Sequence, residues 1–359
     1  MTLLHEKPRP RRLLSIQALR GLAALAVVAY HAARHLGKAV DASALTRFTQ
    51  PGHAGVDLFF VLSGFIILHV HRRDIGRPNR LGRYAWQRFV RLMPIYWIAL
   101  AATIATMLVG HADDVTAARV ALSASLLPVS QDPLLGVAWT LQHEMLFYSA
   151  FALLLTHRGL GLSCLALWLL WGAAQASGAL PPAFDLPRFT SLFNVQFLFG
   201  MAAALAVGSG RIRRGGRLAA CGGLLLLAVG VLEASGWIDG YASFARLAYG
   251  VPSALLITGL ASWEGRAERQ IPRMMVFVGE ASYSLYLFHL LGIGIAWQVW
   301  LRSGIDAAAR LPTCFLFLMA GALACGFGFH LIVEAPLLRW LRSLPPGRQK
   351  ATSTRTVSA

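Results

Sequence analysis

The chain has 359 residues, of which 56% are hydrophobic and 14% charged, with a mean hydropathy of +0.57. Its apolar stretches reach the roughly 20 residues that a bilayer crossing needs, which excludes an ordinary soluble domain. The formal charge of +17 collects on alternate loops, so it reports topology and gives no ground for nucleic acid as a partner.

Ten membrane spans are predicted, over about 14–35, 56–70, 92–109, 139–155, 160–177, 189–207, 218–234, 245–262, 282–301 and 312–338. The apolar but short 117–127 reads as an interfacial or re-entrant segment. Basic residues favour cytoplasmic loops; with the N-terminus inside, 24 Lys and Arg fall on inner segments and 8 on outer ones, Arg20 lying within the first span. The expected fold is all-α: a polytopic integral membrane protein with both termini cytoplasmic, one transmembrane domain over 1–343 and a disordered cytoplasmic tail over 344–359. Lys7, Arg9, Arg11 and Arg12 precede the first apolar run as in a secretory signal, but that run continues past Arg20 to His35 and reads as a retained helix. Cys164, Cys221, Cys314 and Cys325 form no Cys-x-x-Cys pair and suggest neither a disulfide framework nor a metal site.

Ionisable residues inside spans are costly and mark functional sites. In the first span Arg20 and His31 are eleven residues apart, which is about 16 Å along a helix and nearly the same face. The second span opens Gly55-Val-Asp57 and carries Ser63-Gly64-Phe65; Asp57 fits either a helix cap or an active-site carboxylate, and the Ser-Gly pair fits close helix packing. An inner loop ends Arg88-Phe-Val-Arg91-Leu-Met-Pro94-Ile-Tyr96, suited to a phosphate-bearing ligand or to simple orientation by anionic membrane lipid. The fourth span begins Trp139-Thr-Leu-Gln142-His143-Glu144, an interfacial aromatic anchor followed by a carboxylate that needs a partner. The ninth begins Ser282-Tyr283-Ser284-Leu-Tyr286 and reaches His289, a buried histidine with either a structural or a functional role. By depth, His31, Asp57 and Glu144 belong to the outer half and Arg20, Arg88 and Arg91 to the inner. That sorting points to proton abstraction at the outer face, with a carboxylate orienting His31, and to an anion site at the inner one.

These segments, with Glu334-Ala-Pro336, together resemble the acyltransferase family 3 membrane proteins, which include O-acetylases of exopolysaccharide, O-antigen and nodulation factors. The resemblance carries the Arg-x10-His pair, Gly-Val-Asp-x-Phe-Phe-Val-Leu-Ser-Gly-Phe, Arg-x-x-Arg-Leu-x-Pro-x-Tyr, Trp-Thr-Leu-x-x-Glu-x-x-Phe-Tyr and Ser-Tyr-Ser-Leu-Tyr-Leu-x-His, in order along nearly the whole chain. It implies an O-acyltransferase of the bacterial inner membrane that uses acyl-CoA, usually acetyl-CoA, as co-substrate. The acceptor is then a hydroxyl of a lipid-linked or exported glycan, with polysaccharide export machinery as a further partner. By the resemblance His31 matches the catalytic histidine, Arg20 its arginine partner, and Glu144 a functional glutamate. Arg88 and Arg91 match a basic motif, grouped with Tyr96 on the donor side. Ser63, Trp139, Ser282, Tyr283 and His289 are assigned to substrate or structural support. Direct transfer with His31 as base and relay through an acyl-histidine both remain open. A transporter or glycan flippase is the competing class; its polar groups should line a path through the middle, whereas here basic and His/carboxylate groups separate by depth.

Overall fold

The computed structural model describes residues 13–110, 114–180, 187–266 and 270–343, and these contain helices and no strand. The basic residues of 1–12 and the tail expected over 344–359 lie outside the described residues. Ten long helices are found among the described residues: α1 (Leu14–Leu36), α2 (Gly55–His71), α3 (Leu81–Val109), α4 (Trp139–Thr156), α5 (Arg158–Ala176), α6 (Phe193–Gly208), α7 (Gly215–Ala234), α8 (Ser243–Glu264), α9 (Ser282–Arg302) and α10 (Leu311–Phe329). Eight helical stretches, those containing α1 to α3 and α6 to α10, are long and apolar enough to cross a membrane. The protein is a multi-pass integral membrane protein. α4 and α5 stand outside that set; in α4 the run Gln142-His143-Glu144 dilutes the apolar character. Leu167, Leu224, Leu227 and Leu316 are exposed on the bundle's outside, as lipid-facing side chains are.

The helix at the centre is α1, which packs on α2, α8, α9 and α10 and on the short helix Arg273–Glu280. Leu13, at the N-cap position of α1, makes no side-chain capping bond. Glu264, at the end of α8, accepts from the Leu14 and Ser15 amides at 2.7 and 2.8 Å and from the Ser15 hydroxyl at 2.5 Å. A carboxylate there satisfies orphan helix donors and complements the dipole. Arg20 and His31 thereby hang from a helix whose start is fixed.

The structure begins the third helix well before the predicted span, at Leu81. Residues 81–91 extend it because Tyr84, Arg88 and Arg91 share one stripe facing the bundle. Pro94 is therefore inside α3 rather than near its start. The predicted interfacial segment is a short helix, Ala117–Ser125, which lies against α3. The tenth helix continues beyond α10 through a π turn, His330–Glu334, into Ala335–Ser343.

α2 and α6 touch at backbone distance. A Cβ on Gly64 would meet the Phe197 carbonyl oxygen at 2.0 Å, and one on Gly200 the Val61 carbonyl oxygen at 1.9 Å. Gly200→Val is expected to force the pair apart at a cost of about 1–3 kcal/mol, read as a lower thermal unfolding midpoint in detergent. Gly223→Val on α7, where nothing lies within 4 Å, should leave the midpoint unchanged.

Candidate active site

Three cavities follow one another along α1. The central one, of about 130 Å³, is where most of the predicted residues meet: Arg20 from α1, Ser63 from α2, Arg88 and Arg91 from α3, Glu144 and Tyr148 from α4, and Ser282 and Tyr283 from α9. Arg20 Nη2 donates to the Ser282 hydroxyl at 3.2 Å. Glu144 Oε1 accepts from Ser63 at 3.1 Å and from Tyr148 at 2.5 Å. The guanidinium of Arg88 sits 5.8 and 5.7 Å from the ring centres of Tyr84 and Tyr148, and that of Arg91 5.4 Å from Tyr283. Three guanidiniums against one carboxylate make this a cationic waist, suited to an anionic ligand or to negative charge developing on an oxygen.

Towards the end where α1 begins, a cavity of about 290 Å³ shares Arg20 and Arg91 with the central one and adds His330, Glu334, Arg339 and Arg342. Glu334 is 1% exposed and gathers three helices. It accepts from Ser284 at 2.8 Å, lies 2.8 Å from His330 Nδ1, and pairs with Arg91 at 3.8 Å. The π turn puts His330 and Glu334 on one side, and such turns recur at functional sites.

At the other end lies a cavity of about 680 Å³, walled by Tyr30, His31, His53, Trp139, Phe193, Tyr241 and Arg246; it shares Val56 and Tyr286 with the waist. His31 Nδ1 lies 2.9 Å from the Val27 carbonyl one turn back. A carbonyl only accepts, so Nδ1 carries the hydrogen and Nε2 keeps its lone pair. His289 is fully buried, its ring edge-on to His31 at 4.8 Å. Its Nδ1 is held by the Tyr286 carbonyl at 2.7 Å, and its Nε2 has no hydrogen-bond partner among the described residues.

Three sequence expectations change. Asp57 does not orient His31: it is fully buried, bonded to Arg246 Nη1 at 2.7 Å and to the Gln196 amide, so both its oxygens are used in tying α2 to α6 and α8. Glu144 stands with the arginines and not beside His31, because α4 enters the bundle with Glu144 facing Ser63. Tyr96 lines none of the three cavities; fully buried, it donates to the Ser123 carbonyl at 2.6 Å, and Trp97 donates to Ala124 at 2.9 Å, so together they clamp Ala117–Ser125. Sequence reading also passed over Arg246 and the pair His53–Glu233. Arg246 counts in the sequence only among the outer basic residues, and Glu233, a carboxylate near the end of an apolar span, is signal enough to seek a partner.

A family model described as an acyltransferase domain matches residues 13–331. The chain is 32% identical over 303 residues to the exopolysaccharide production protein ExoZ of Rhizobium meliloti (strain 1021), covering 80% of this chain and 90% of that protein. It is 27% identical over 394 aligned positions to the acyltransferase MdmB of Streptomyces mycarofaciens, covering 97% and 96%. To the peptidoglycan O-acetyltransferase OatA of Listeria monocytogenes it is 28% identical over 141 residues, 39% of this chain and 20% of that protein. No solved structure matches the chain.

The Asp57–Arg246 pair is buried on both sides, with 0% and 7% side-chain exposure. Removing one partner of such a pair costs about 3–5 kcal/mol, whereas breaking an exposed pair costs about 1 kcal/mol or less. Arg246→Ala should therefore lower the unfolding midpoint in detergent far more than Arg119→Ala, whose partner Asp114 is exposed. Equal midpoints would contradict the structural role of Asp57.

Proposed function

The chain belongs to the acyltransferase-3 family of membrane proteins, and from that membership we propose that it moves an acyl group, acetyl in the first instance, from acyl-CoA to a hydroxyl of a lipid-linked or exported glycan. It is an O-acyltransferase. On this reading both termini are cytoplasmic, as the excess of basic residues on alternate loops supports, and the Arg20/Arg91/Arg339 end then faces the side where CoA is found. The observation that carries the reading is the row of three cavities with shared walls, basic at one end and bearing His31 at the other. A donor entering from the basic end would leave its phosphates among Arg91, Arg339 and Arg342 and run its thin pantetheine arm through the waist.

His31 Nε2, with its lone pair, takes the proton of the acceptor hydroxyl as that oxygen attacks the thioester carbonyl. The carbon–oxygen ester bond forms, the carbon–sulfur bond breaks, and the departing thiolate takes the proton back. The waist arginines stabilise charge on the donor through the step. Val27, Val56 and Leu290 beside His31 suit a methyl group better than a carboxylate, which supports acetyl over a dicarboxylic acyl group. ExoZ, named for exopolysaccharide production, supports a glycan as acceptor.

Thiol release from acetyl-CoA by purified protein in proteoliposomes, with oligosaccharides released from the producing strain's surface polysaccharide, tests this. His31→Ala should lower acceptor-dependent release by about 10²–10⁴-fold, the range of a general base; release that persists would remove His31 from the chemistry. No release by folded wild type with any acyl-CoA would favour a carrier. Arg339→Ala, which removes one of the guanidiniums proposed for the donor phosphates and with it a charge-assisted contact worth about 1.5–3 kcal/mol, should raise the donor KM at least tenfold and leave the acceptor KM near wild type.

A further inference from the structure

The outer cavity holds a second oriented imidazole besides His31. His53 lies on the 3-10 turn Gln50–Ala54, which is pressed onto α1: a Cβ on Gly52 would meet the Ala26 carbonyl oxygen at 2.3 Å, and one on Gly55 the Ala23 carbonyl oxygen at 2.6 Å. The turn cannot lift away without opening that contact, so His53 is held beside Tyr30 and His31. Its Nε2 lies 2.9 Å from Glu233 Oε1, a buried carboxylate at the end of α7 that also accepts from the Tyr249 hydroxyl. Gly240 makes room for this carboxylate, since a Cβ there would sit 2.1 Å from Oε1. The ring stacks on Tyr241 at 4.7 Å with a 21° tilt.

A carboxylate accepts only, so the neutral imidazole of His53 carries its hydrogen on Nε2 and its lone pair on Nδ1. His31 has the opposite tautomer, with Nε2 as its lone-pair nitrogen. Two nitrogen acceptors thus line one cavity, and neither lone pair receives a hydrogen bond among the described residues. Their complement is a ligand with two O–H donors. The walls also offer flat aromatic surface in Trp139, Tyr30 and Tyr241, which suits the C–H faces of a sugar ring. The Arg246 charge in this wall is already matched by Asp57, so the cavity is built for a neutral ring.

We propose that this outer cavity is the acceptor subsite for a neutral sugar ring, in which His53 Nδ1, oriented by Glu233, receives one ring hydroxyl while His31 receives the hydroxyl to be acylated. This rests on the transfer reading given above. His53 is a binding residue that sets which hydroxyl meets His31, and Glu233 is its positioning residue.

The test is steady-state kinetics in proteoliposomes with acetyl-CoA and the same oligosaccharide acceptor. His53→Gln keeps a donor for Glu233 and removes the ring nitrogen acceptor, its own carbonyl oxygen being displaced from the Nδ1 position. It should raise the acceptor KM by about tenfold, the worth of one hydrogen bond with its partner left unsatisfied, while kcat at saturating acceptor and the donor KM stay within threefold. Glu233→Gln keeps an acceptor for His53 Nε2–H and should move the acceptor KM less than His53→Gln does. An unchanged acceptor KM in His53→Gln overturns the subsite. So does a fall in kcat with the donor KM rising in step, since that pattern belongs to the donor side or to misfolding. Absence of acceptor-dependent thiol release in the wild type would instead overturn the transfer reading, and the subsite with it.

Discussion

In a bundle surrounded by lipid, a carboxylate away from water must find its hydrogen bonds on another helix, and in this protein that requirement does much of the stitching. Glu264 caps α1 from α8, Asp57 joins α2 to α6 and α8, Glu233 joins α7 to the turn before α2, and Glu334 ties the tenth helix to α3 and α9. Apolar packing in lipid gives little reason for one helix register over another, because the alternative neighbour is also hydrocarbon. A buried pair does, since sliding a helix by one residue leaves a charge uncompensated at several kcal/mol. The positions of Arg20 and His31 depend on this: both ride on α1, and α1 is located by Glu264 below and by the Gln50–Ala54 turn above.

Against that background the waist is the exception. Asp57 meets Arg246, and Glu334 meets Arg91 from the neighbouring cavity, whereas within the waist Arg20, Arg88 and Arg91 face Glu144 alone, whose hydrogen bonds go to Ser63 and Tyr148. Arg88 and Arg91 rest over aromatic faces, which partly offset the missing counter-charge. A surplus of fixed positive charge in a confined space is expensive to maintain, and negative charge developing on an oxygen there is what would relieve it.

The all-helical, membrane-spanning character was legible in the sequence because hydropathy is a local property, whereas depth was legible only in part, since Glu144, sorted to the outer half, stands with Arg20, Arg88 and Arg91. Arg20, Ser63, Arg88, Arg91, Glu144, Ser282 and Tyr283 were all singled out, and all line one cavity. Pairing was not legible. Asp57 finds Arg246 at a separation of 189 residues and His53 finds Glu233 at 180, and nothing local marks either choice. Depth alone made Asp57 and Glu144 equal candidates to orient His31, and neither does: a main-chain carbonyl one turn back fixes its tautomer instead. Tyr96 was misjudged for the opposite reason, since its motif sits beside Arg88 and Arg91 in sequence while the helix turns its ring away from them.

A path through a bundle invites the idea of transport, and the sizes of the three cavities argue against it. The waist, at about 130 Å³, lies between chambers of about 290 and 680 Å³, and its walls are drawn together by Glu144, Ser63 and Tyr148 across α2 and α4. A hydrated glycan passing it would have to part those bonds and strip its own water beside three guanidiniums. A pantetheine arm is thin and mostly neutral, and it has only to reach the far rim. On the proposed reading two bulky substrates would stay on their own sides and bring a small acyl group and one hydroxyl together where Val56 and Tyr286 join the cavities, on the His31 side.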